Sequence, residues 1–208
     1  TFWLKSELFL MKIPMLNFEA RARRSQPLPK GYAKNCESPW SKSKQFTMRG
    51  KTTIVIGGQF GSEAKGKVIS FLANEFDIAV RTGSPNAGHT IFKDGEIFRL
   101  QQIPATFVNP NCTLCIGAGA LINPDFLRKE VEKTKTKDRL FVDPQAGIIE
   151  EKHLLQEGEL VQKIGSTGKG CGAALADRIW RTDFKLAKDV LKDFQFVDVV
   201  ELINSGID

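Results

Sequence analysis

The first segment that could do chemistry is a glycine-rich stretch, residues 57–67, which follows a β-branched run and precedes a predicted helix. Backbone N–H groups at the start of such a helix, together with the helix dipole, form a binding site for phosphate. Lys65 and Lys67 can neutralise phosphate charge, and Lys67 keeps the glycine–lysine spacing of a P-loop. Val68 stands where an ordinary P-loop has Ser or Thr for magnesium. The stretch therefore indicates a P-loop-like phosphate site, or a tight turn that needs small residues.

The second such segment, residues 165–172, carries four glycines, two hydroxyl residues and a lysine before another predicted helix. This composition indicates a second anion site, although a flexible surface lid would have a similar composition. Two phosphate sites in one domain indicate two phosphorylated substrates, a nucleotide donor and a phosphorylated acceptor.

One of the two histidines, His89, ends a loop that follows a predicted strand, residues 77–81. Ligands of open α/β sheets bind at the carboxyl ends of the strands, so an imidazole here can donate a proton or polarise an oxo group. A structural histidine is the alternative. The other histidine, His153, lies among charged residues of a predicted helix, and we interpret it as solvent-exposed.

Cys112 and Cys115 have the spacing of a redox or metal-binding pair, in a chain with four cysteines. They lie in or beside a predicted buried strand, residues 113–117, and the chain has no second pair with this spacing. We therefore interpret them as buried thiols, which pack as small apolar side chains, in a protein of a reducing compartment.

Runs of strand length alternate with amphipathic helical segments from residue 52 onward. The predicted strands cover residues 52–57, 77–81, 89–92, 96–100, 113–117 and 139–142, and the predicted helices cover 65–74, 124–133, 150–163, 173–180 and 183–191. This alternation predicts an α/β domain with a mostly parallel sheet, flanking helices and a P-loop-like first strand–loop–helix unit. The first run is expected to be a buried parallel strand. Asn123 is expected to cap the helix that begins at Pro124.

The composition, 41% hydrophobic and 26% charged residues, excludes a disordered chain, a coiled coil and a membrane bundle. The net charge of +6 would favour nucleic-acid binding, but residues 1–47 hold nine basic and three acidic residues, which leaves residues 48–208 neutral. We therefore divide the chain into a basic leader, 1–47, and a domain, 48–208. The leader is expected to be disordered or translated from upstream of Met48. A targeting peptide and a nucleic-acid-binding arm are the alternatives.

Three motifs together resemble the adenylosuccinate synthetase family. Residues 59–67 are similar to its loop Gln-Trp-Gly-Asp-Glu-Gly-Lys-Gly-Lys, residues 86–90 match its Asn-Ala-Gly-His-Thr without change, and residues 165–172 are similar to its Gly-Thr-Thr-Gly-Arg-Gly-Ile-Gly. The resemblance covers roughly residues 50–190. It implies a ligase of purine nucleotide biosynthesis, in which a nucleoside triphosphate phosphorylates the 6-oxo group of a purine monophosphate. The amine of L-aspartate then displaces that phosphate.

The resemblance also implies a set of site residues and Mg²⁺ as cofactor. His89 is the expected acid on the 6-oxygen, Ser62 stands at the position of the catalytic base, and Ser62 and Gly88 are the expected magnesium-binding residues. The expected triphosphate-binding residues are Gly61, Ser62, Glu63, Ala64, Lys65, Gly66, Lys67, Gly88, His89 and Thr90. The expected monophosphate-binding residues are Ser62, Lys65, Asn86, Ala87, Gly88, His89, Ser166, Thr167 and, from a neighbouring subunit, Arg181.

One departure from the family bears on the substrate, because Ser62 replaces the aspartate that removes the purine N1 proton. A hydroxyl cannot replace a carboxylate as base, and its smaller size leaves room beside position 2 of the purine. A phage branch, the 2-aminoadenylosuccinate synthetases, is similar at this position and uses dGMP, and Ala64 in place of the loop's second glycine adds weaker support. We therefore expect dGMP as acceptor and ATP or dATP as donor. IMP with GTP is the alternative.

The chain ends at Asp208, before the family's aspartate-binding arginine loop and the segment that recognises the donor base. We therefore expect a chain that is truncated relative to the family, and an inactive nucleotide-binding fragment is a further alternative. The resemblance implies a homodimer in the cytoplasm, or in the host cytoplasm if a phage encodes it. No membrane association or direct nucleic-acid binding is expected.

Overall fold

The computed structural model describes residues 8–12, 51–58, 61, 63–181 and 183–205. Its strands are β1 (Leu8–Lys12), β2 (Lys51–Val55), β3 (Ile78–Arg81), β4 (His89–Lys93), β5 (Glu96–Leu100), β6 (Thr113–Ile116), β7 (Leu121–Ile122), β8 (Leu140–Val142), β9 (Gly147–Ile148) and β10 (Gln195–Phe196). Its α-helices are α1 (Lys65–Leu72), α2 (Pro124–Thr134), α3 (Glu151–Ile164), α4 (Cys171–Trp180), α5 (Ala187–Val190) and α6 (Val199–Asn204). Short 3₁₀ turns cover Ala73–Glu75, Ala105–Val108 and Lys137–Arg139.

Among the described residues, six strands form one sheet in the order β10-β8-β6-β3-β1-β2. Strands β3, β6, β8 and β10 are parallel to one another, and helices pack on both faces of this part of the sheet. The predicted α/β architecture with a parallel sheet and flanking helices is therefore confirmed. Two smaller two-stranded sheets, β4-β5 and β7-β9, stand beside the main sheet.

The first strand of the predicted P-loop-like unit, β2, differs from the expectation of a buried parallel strand. It runs in the same direction as β3, but the two are separated by β1, which is antiparallel to both. Strand β2 therefore lies at the edge of the sheet, and Ile54 and Ile56 are 53% and 58% exposed. The apolar run had indicated burial, but strand order depends on pairing with a distant segment.

That distant segment belongs to the leader, which we expected to be disordered or translated from upstream. Residues Leu8–Lys12 instead form β1 and pair along their whole length with β2 on one side. Leu8 to Met11 pair with β3 on the other side. The remainder of the leader, residues 1–7 and 13–47, lies outside the described residues, as do residues 48–50. The charge of the leader gave no sign of this strand, because pairing uses backbone groups that every residue except proline carries.

Alternate residues of the parallel strands face opposite sides of the sheet, as expected of the strand repeat. One side belongs to the main core and presents Ala79, Leu114, Ile116, Leu140 and Val142, packed with Ile69 of α1 and Leu127 of α2. The other side presents Ile78, Val80, Cys115 and Phe141, packed with Val199 and Leu202 of α6. The sheet is thus held from both faces, and the site at its carboxyl edge stands on a rigid base.

Most predicted elements form near their predicted bounds. The amide N–H groups of Asp125 and Phe126 donate to the side chain of Asn123, which caps α2 as expected. The predicted helix over 183–191 is wrong, because the structure forms only the four-residue α5 there, preceded by a backbone bridge between Gly147 and Leu186. No helix within the described part of the chain is long and apolar enough to cross a membrane.

The position of β1 inside the sheet is testable with proline. Leu10 pairs with Thr53 of β2 and with Ala79 of β3, so its N–H lies between two strands. Proline removes this N–H and is excluded from central strands, so Leu10→Pro should lower the free energy of unfolding by about 3 kcal/mol or more in urea denaturation. Leu10→Val, which keeps the N–H and suits a strand, is the control. Equal urea midpoints for the two variants would show that β1 is not paired on both sides.

Candidate functional site

The first glycine-rich loop leads from β2 into α1 and holds Lys65 through a carboxylate. The ammonium of Lys65 lies 2.5 Å from the Glu63 carboxylate, and the N–H of Gly61 donates to the same carboxylate at 3.2 Å. Ala64, immediately before α1, has φ 57° and ψ 25°, a left-handed conformation that favours glycine. The structure thus places Glu63, Ala64 and Lys65 on the loop as predicted. Gln59, Phe60 and Ser62 lie outside the described residues.

The start of α1 packs directly on the first residue of β4. A Cβ added to Gly66 would lie 2.7 Å from the Cβ of His89 and 2.9 Å from its Cγ, closer than side chains tolerate. Glycine is therefore required here by the approach of the helix to the imidazole. This contact brings the first phosphate loop and the predicted catalytic histidine together.

The imidazole of His89 is 7% exposed and is held by a buried arginine. Its Nδ1 lies 3.0 Å from Nη1 of Arg81, while Nη2 of Arg81 donates to the carbonyl of Ala87 at 2.6 Å. Burial, and to a smaller extent the charges of Arg81 and Lys65, lower the pKa of His89 to about 3. The imidazole is therefore neutral at pH 7.

The second glycine-rich loop and the start of α4 are closed by Glu157 of α3. The carboxylate of Glu157 accepts from the N–H of Gly170 at 2.8 Å, of Ala173 at 3.3 Å and of Gly172. The hydroxyl of Ser166 also donates to it at 3.5 Å. Gly170 has φ 72° and no side-chain cap of its own, so Glu157 supplies the anion that the free N–H groups of the helix start require.

The loop that ends at His89 contacts the start of α4, beside the second glycine-rich loop, through Asn86 and Cys171. Burial raises the pKa of the Cys171 thiol to about 11, and a backbone hydrogen bond from Asn86 opposes that shift. Asn86 belongs to the loop that ends at His89, whereas Cys171 is the first residue of α4. The loop before His89 therefore lies between the two predicted anion sites, which is the arrangement that the three motifs require.

The other predicted residues lie at different distances from this centre. Gly88 and Thr167 are exposed, and Thr90 is exposed on β4. Lys169 lies over the ring of Phe126 at 4.7 Å. Arg181 is exposed at the far end of α4, ten residues from the second loop and so about 15 Å along the helix axis. The structure therefore does not bring Arg181 to the second loop of the same chain.

The interpretation of His153 as a solvent-exposed residue is wrong. It is fully buried, its Nδ1 accepts from the N–H of Glu150 at 2.9 Å, and its Nε2 lies 3.1 Å from the carboxylate of Asp177 on α4. The charges around it had indicated a solvated face. The informative signal was its spacing of four residues from Glu157, since both lie on the face of α3 that packs on α4.

Sequence reasoning also missed Arg81 and Glu157, although both contact predicted site residues. Arg81 ends a buried apolar strand with a charged residue, and such a residue in that place needs a partner. Glu157 lies mid-helix among other charged residues, so nothing in its local pattern distinguished it. Both roles depend on how two elements pack together, Arg81 across the loop between β3 and β4 and Glu157 from α3 onto the start of α4.

Cys112, Cys115 and Cys171 are free and buried, which confirms the interpretation of Cys112 and Cys115 as packed thiols. Burial raises the pKa of Cys112 to about 11 and raises the pKa of Cys115 further. Their thiolates are therefore absent at neutral pH. Cys36 lies outside the described residues.

No cluster of three or more His, Cys, Asp or Glu side chains that could hold a metal ion occurs in the described part of the chain. Mg²⁺ often keeps several waters and binds through few protein groups plus substrate phosphates. The exposed backbone of Gly88, between the two loops, fits such a donor set. The arrangement can thus bind two phosphorylated groups and present a neutral imidazole between them.

Residues 54–204 match the family model described as Adenylosuccinate synthetase. The chain is 45% identical over 166 residues to the adenylosuccinate synthetase of Methanococcus vannielii, a match that covers 75% of this chain and 49% of that protein. The adenylosuccinate synthetase of Archaeoglobus fulgidus is 44% identical over 164 residues, with 75% and 48% covered. The chain therefore spans about half the length of the curated relatives it matches.

Two solved structures are similar to the fold. The succinoaminodeoxyadenylate synthetase of cyanophage S-2L, bound to dGMP and to dATP as an energy donor, has a TM-score of 0.60 and 25% identity, and the match covers 71% of this chain and 45% of that chain. The fully ligated adenylosuccinate synthetase of Plasmodium falciparum has a TM-score of 0.57 and 26% identity, with 73% and 38% covered.

The low pKa of His89 predicts a pH dependence of stability. The folded pKa of about 3 lies below the ordinary 6.5, so the unfolded chain takes up this proton first as the pH falls. The contribution of His89 to the free energy of unfolding is complete above pH 6.5 and decreases toward pH 3. Between pH 7 and pH 4 the free energy of unfolding should fall by about 3 kcal/mol. Urea denaturation at both pH values should show this loss in the wild type and in His153→Gln, but much less of it in His89→Gln. An equal loss in all three proteins would contradict it.

The role of Glu157 is tested by amide hydrogen exchange. Glu157→Gln replaces a charged acceptor by a neutral one, and each hydrogen bond should weaken by about 1 kcal/mol. Exchange at Gly170, Gly172 and Ala173 should become about tenfold faster or more. Glu151→Gln, an exposed carboxylate on the same helix, should leave these amides unchanged. Unchanged exchange in Glu157→Gln would show that the carboxylate does not hold the loop.

Proposed function

Because the chain belongs to the adenylosuccinate synthetase family, we propose that it supplies the phosphate-binding and oxygen-activating part of a ligase. The ligase joins L-aspartate to the 6-position of a purine nucleoside monophosphate. One observation carries the proposal: His89 lies against the first loop at Gly66, and its own loop contacts the start of the second anion site at Cys171. A substrate oxygen beside His89 is thus within reach of groups bound by both loops.

The reaction follows from what each part can bind. The 6-oxygen of the purine attacks the γ-phosphorus of the donor, the nucleoside diphosphate leaves, and the N1 proton passes to water. The amine of L-aspartate then attacks C6, and the oxygen leaves with the phosphate. The first loop, with Lys65, holds the donor's phosphates, and His89 faces the 6-oxygen. The monophosphate of the purine lies at the second loop, where Ser166 and Thr167 contact it and the carboxylate of Glu157 moves away.

Mg²⁺ bound with the donor's phosphates would supply positive charge that lowers the barrier to phosphoryl transfer. The carbonyl of Gly88 and the hydroxyl of Ser62 are the groups that would hold it. Lys65 and the N–H groups at the start of α1 complement this charge. Lys65 pairs with Glu63 in the structure. When the donor binds, a phosphate would replace this carboxylate as the anionic partner of Lys65.

We assign dGMP as acceptor and ATP or dATP as donor, on the basis of Ser62. A serine at this position of the loop leaves space beside position 2 of the purine, where dGMP carries an amino group. The similarity to the cyanophage S-2L enzyme, which was solved with dGMP and dATP, supports this assignment. The product would be 2-amino-2′-deoxyadenylosuccinate.

IMP with GTP is the second candidate, and a different observation favours it. The curated relatives at 42–45% identity are named adenylosuccinate synthetase. With IMP as with dGMP, a group other than Ser62 would have to take the N1 proton, because a hydroxyl cannot act as that base. The two candidates share the reaction and differ only in the purine and the donor.

A homodimer in which Arg181 reaches the partner's monophosphate is also part of the proposal. Arg181 lies in an exposed patch with Ile179 and Trp180, which are 70% and 79% exposed. An aromatic residue beside an arginine is typical of the centre of protein interfaces. The distance of Arg181 from the second loop of its own chain supports a role in trans.

The acceptor is tested by offering dGMP or IMP with L-aspartate, Mg²⁺ and either ATP or GTP, and separating the products by chromatography. We expect a succinylated product from dGMP with ATP, at a rate at least about tenfold above that from IMP. Product from IMP alone would refute the assignment of dGMP. No product from either, with dGMP still bound in calorimetry, would show a nucleotide-binding fragment without turnover.

The contribution of Ser62 is tested by two substitutions at the same position. Ser62→Asp fills the space beside position 2 and should lower kcat/KM for dGMP at least about tenfold. Ser62→Ala leaves the space open and should keep the preference for dGMP. If Ser62→Asp uses dGMP as well as the wild type does, the space at this position does not determine the acceptor.

A further inference from the structure

Arg81 is the largest fully buried side chain of the described residues, at the carboxyl end of β3. A buried charge costs free energy unless it is paired and hydrogen-bonded. The guanidinium forms no ion pair with a described residue, and it hydrogen-bonds the imidazole of His89 and the carbonyl of Ala87. The charge is thus directed at the loop that presents His89.

The hydrogen bond between Arg81 and His89 determines which ring nitrogen of His89 carries the proton. A guanidinium is always protonated and can only donate, so Nδ1 of His89 must accept. A neutral imidazole that accepts at Nδ1 carries its proton on Nε2. That Nε2 is buried and has no hydrogen-bond partner among the described residues. The histidine therefore presents a single N–H donor with no protein group to receive it.

We infer that Arg81 is a positioning residue that fixes His89 as the Nε2–H tautomer, so that His89 serves the reaction as a neutral hydrogen-bond donor to the 6-oxygen. The inference rests on the proposed function for the identity of that oxygen. It changes the role implied by the family resemblance, because the imidazole keeps its proton throughout. Negative charge that develops on the oxygen is stabilised by the N–H, and Arg81 polarises the ring from the opposite nitrogen.

The second hydrogen bond of Arg81 orients the backbone that leads to His89. Nη2 donates to the carbonyl of Ala87 at 2.6 Å, two residues before His89. One planar guanidinium therefore holds both the ring and the backbone that leads to it. A lysine could replace the donor to Nδ1 and the charge, but it cannot reproduce both contacts in this fixed geometry.

The tautomer is measured by ¹⁵N NMR of histidine-labelled wild-type protein at pH 7. The chain has two histidines, and His89→Gln identifies the signals of His89. We expect a protonated Nε2 and an unprotonated Nδ1 at His89. A proton on Nδ1, or on both nitrogens, would overturn the inference, and this measurement needs no substrate.

The consequence for turnover is measured with two substitutions. Arg81→Met keeps the length of the side chain but cannot donate, and should lower kcat about 100-fold while KM for the monophosphate stays within about threefold. Arg81→Lys keeps one donor and the charge, and should restore the tautomer and most of kcat. If both variants lower kcat equally, or change KM alone, Arg81 has no positioning role.

The outcomes separate this inference from the proposed function. If Arg81→Met does not fold, the wild-type spectrum and Arg81→Lys still decide the tautomer. If the protein carries the Nε2–H tautomer but binds neither dGMP nor IMP, the proposed function is refuted. The identification of the purine 6-oxygen as the acceptor of the hydrogen bond is then refuted as well. A wild-type protein that makes product but carries the proton on Nδ1 would refute the inference alone.

Discussion

The approach of helix α1 to strand β4 at Gly66 is the constraint on which the site depends. Because a Cβ there would lie 2.7 Å from that of His89, no other residue allows the first phosphate loop and the imidazole to be this close. The contact also buries His89, which depresses its pKa and leaves the ring neutral. The position, the burial and the protonation state of His89 thus all depend on a glycine at position 66.

The remaining contacts hold parts of the chain that are far apart in sequence around this point. Arg81 fixes the ring from β3, Asn86 contacts the start of α4, and Glu157 closes the second loop from α3. Glu63 and Glu157 each hold groups that a phosphate would otherwise contact. Carboxylates of the chain thus occupy both of the proposed anion sites, so phosphate binding there would exchange one negative group for another.

Local patterns in the sequence predicted the parts of the fold that depend on neighbours along the chain. The cap at Asn123, the strands β4 and β5 and the loop at the end of β2 are of this kind, because a few adjacent residues determine each. The insertion of β1 beside β2, the burial of His153 and the role of Glu157 depend instead on packing against a different element of the fold. Charge and local composition do not identify such partners, so a charged helix segment is interpreted as solvated and a basic leader as unstructured.

We propose that the chain activates the 6-oxygen of a purine monophosphate for displacement by L-aspartate. This proposal is tested most directly with dGMP labelled by oxygen-18 at position 6, incubated with ATP, Mg²⁺ and L-aspartate, followed by mass spectrometry of the inorganic phosphate. Activation of the 6-oxygen predicts one oxygen-18 in each phosphate that is released together with succinylated product. Unlabelled phosphate, from donor hydrolysis by water, would contradict it.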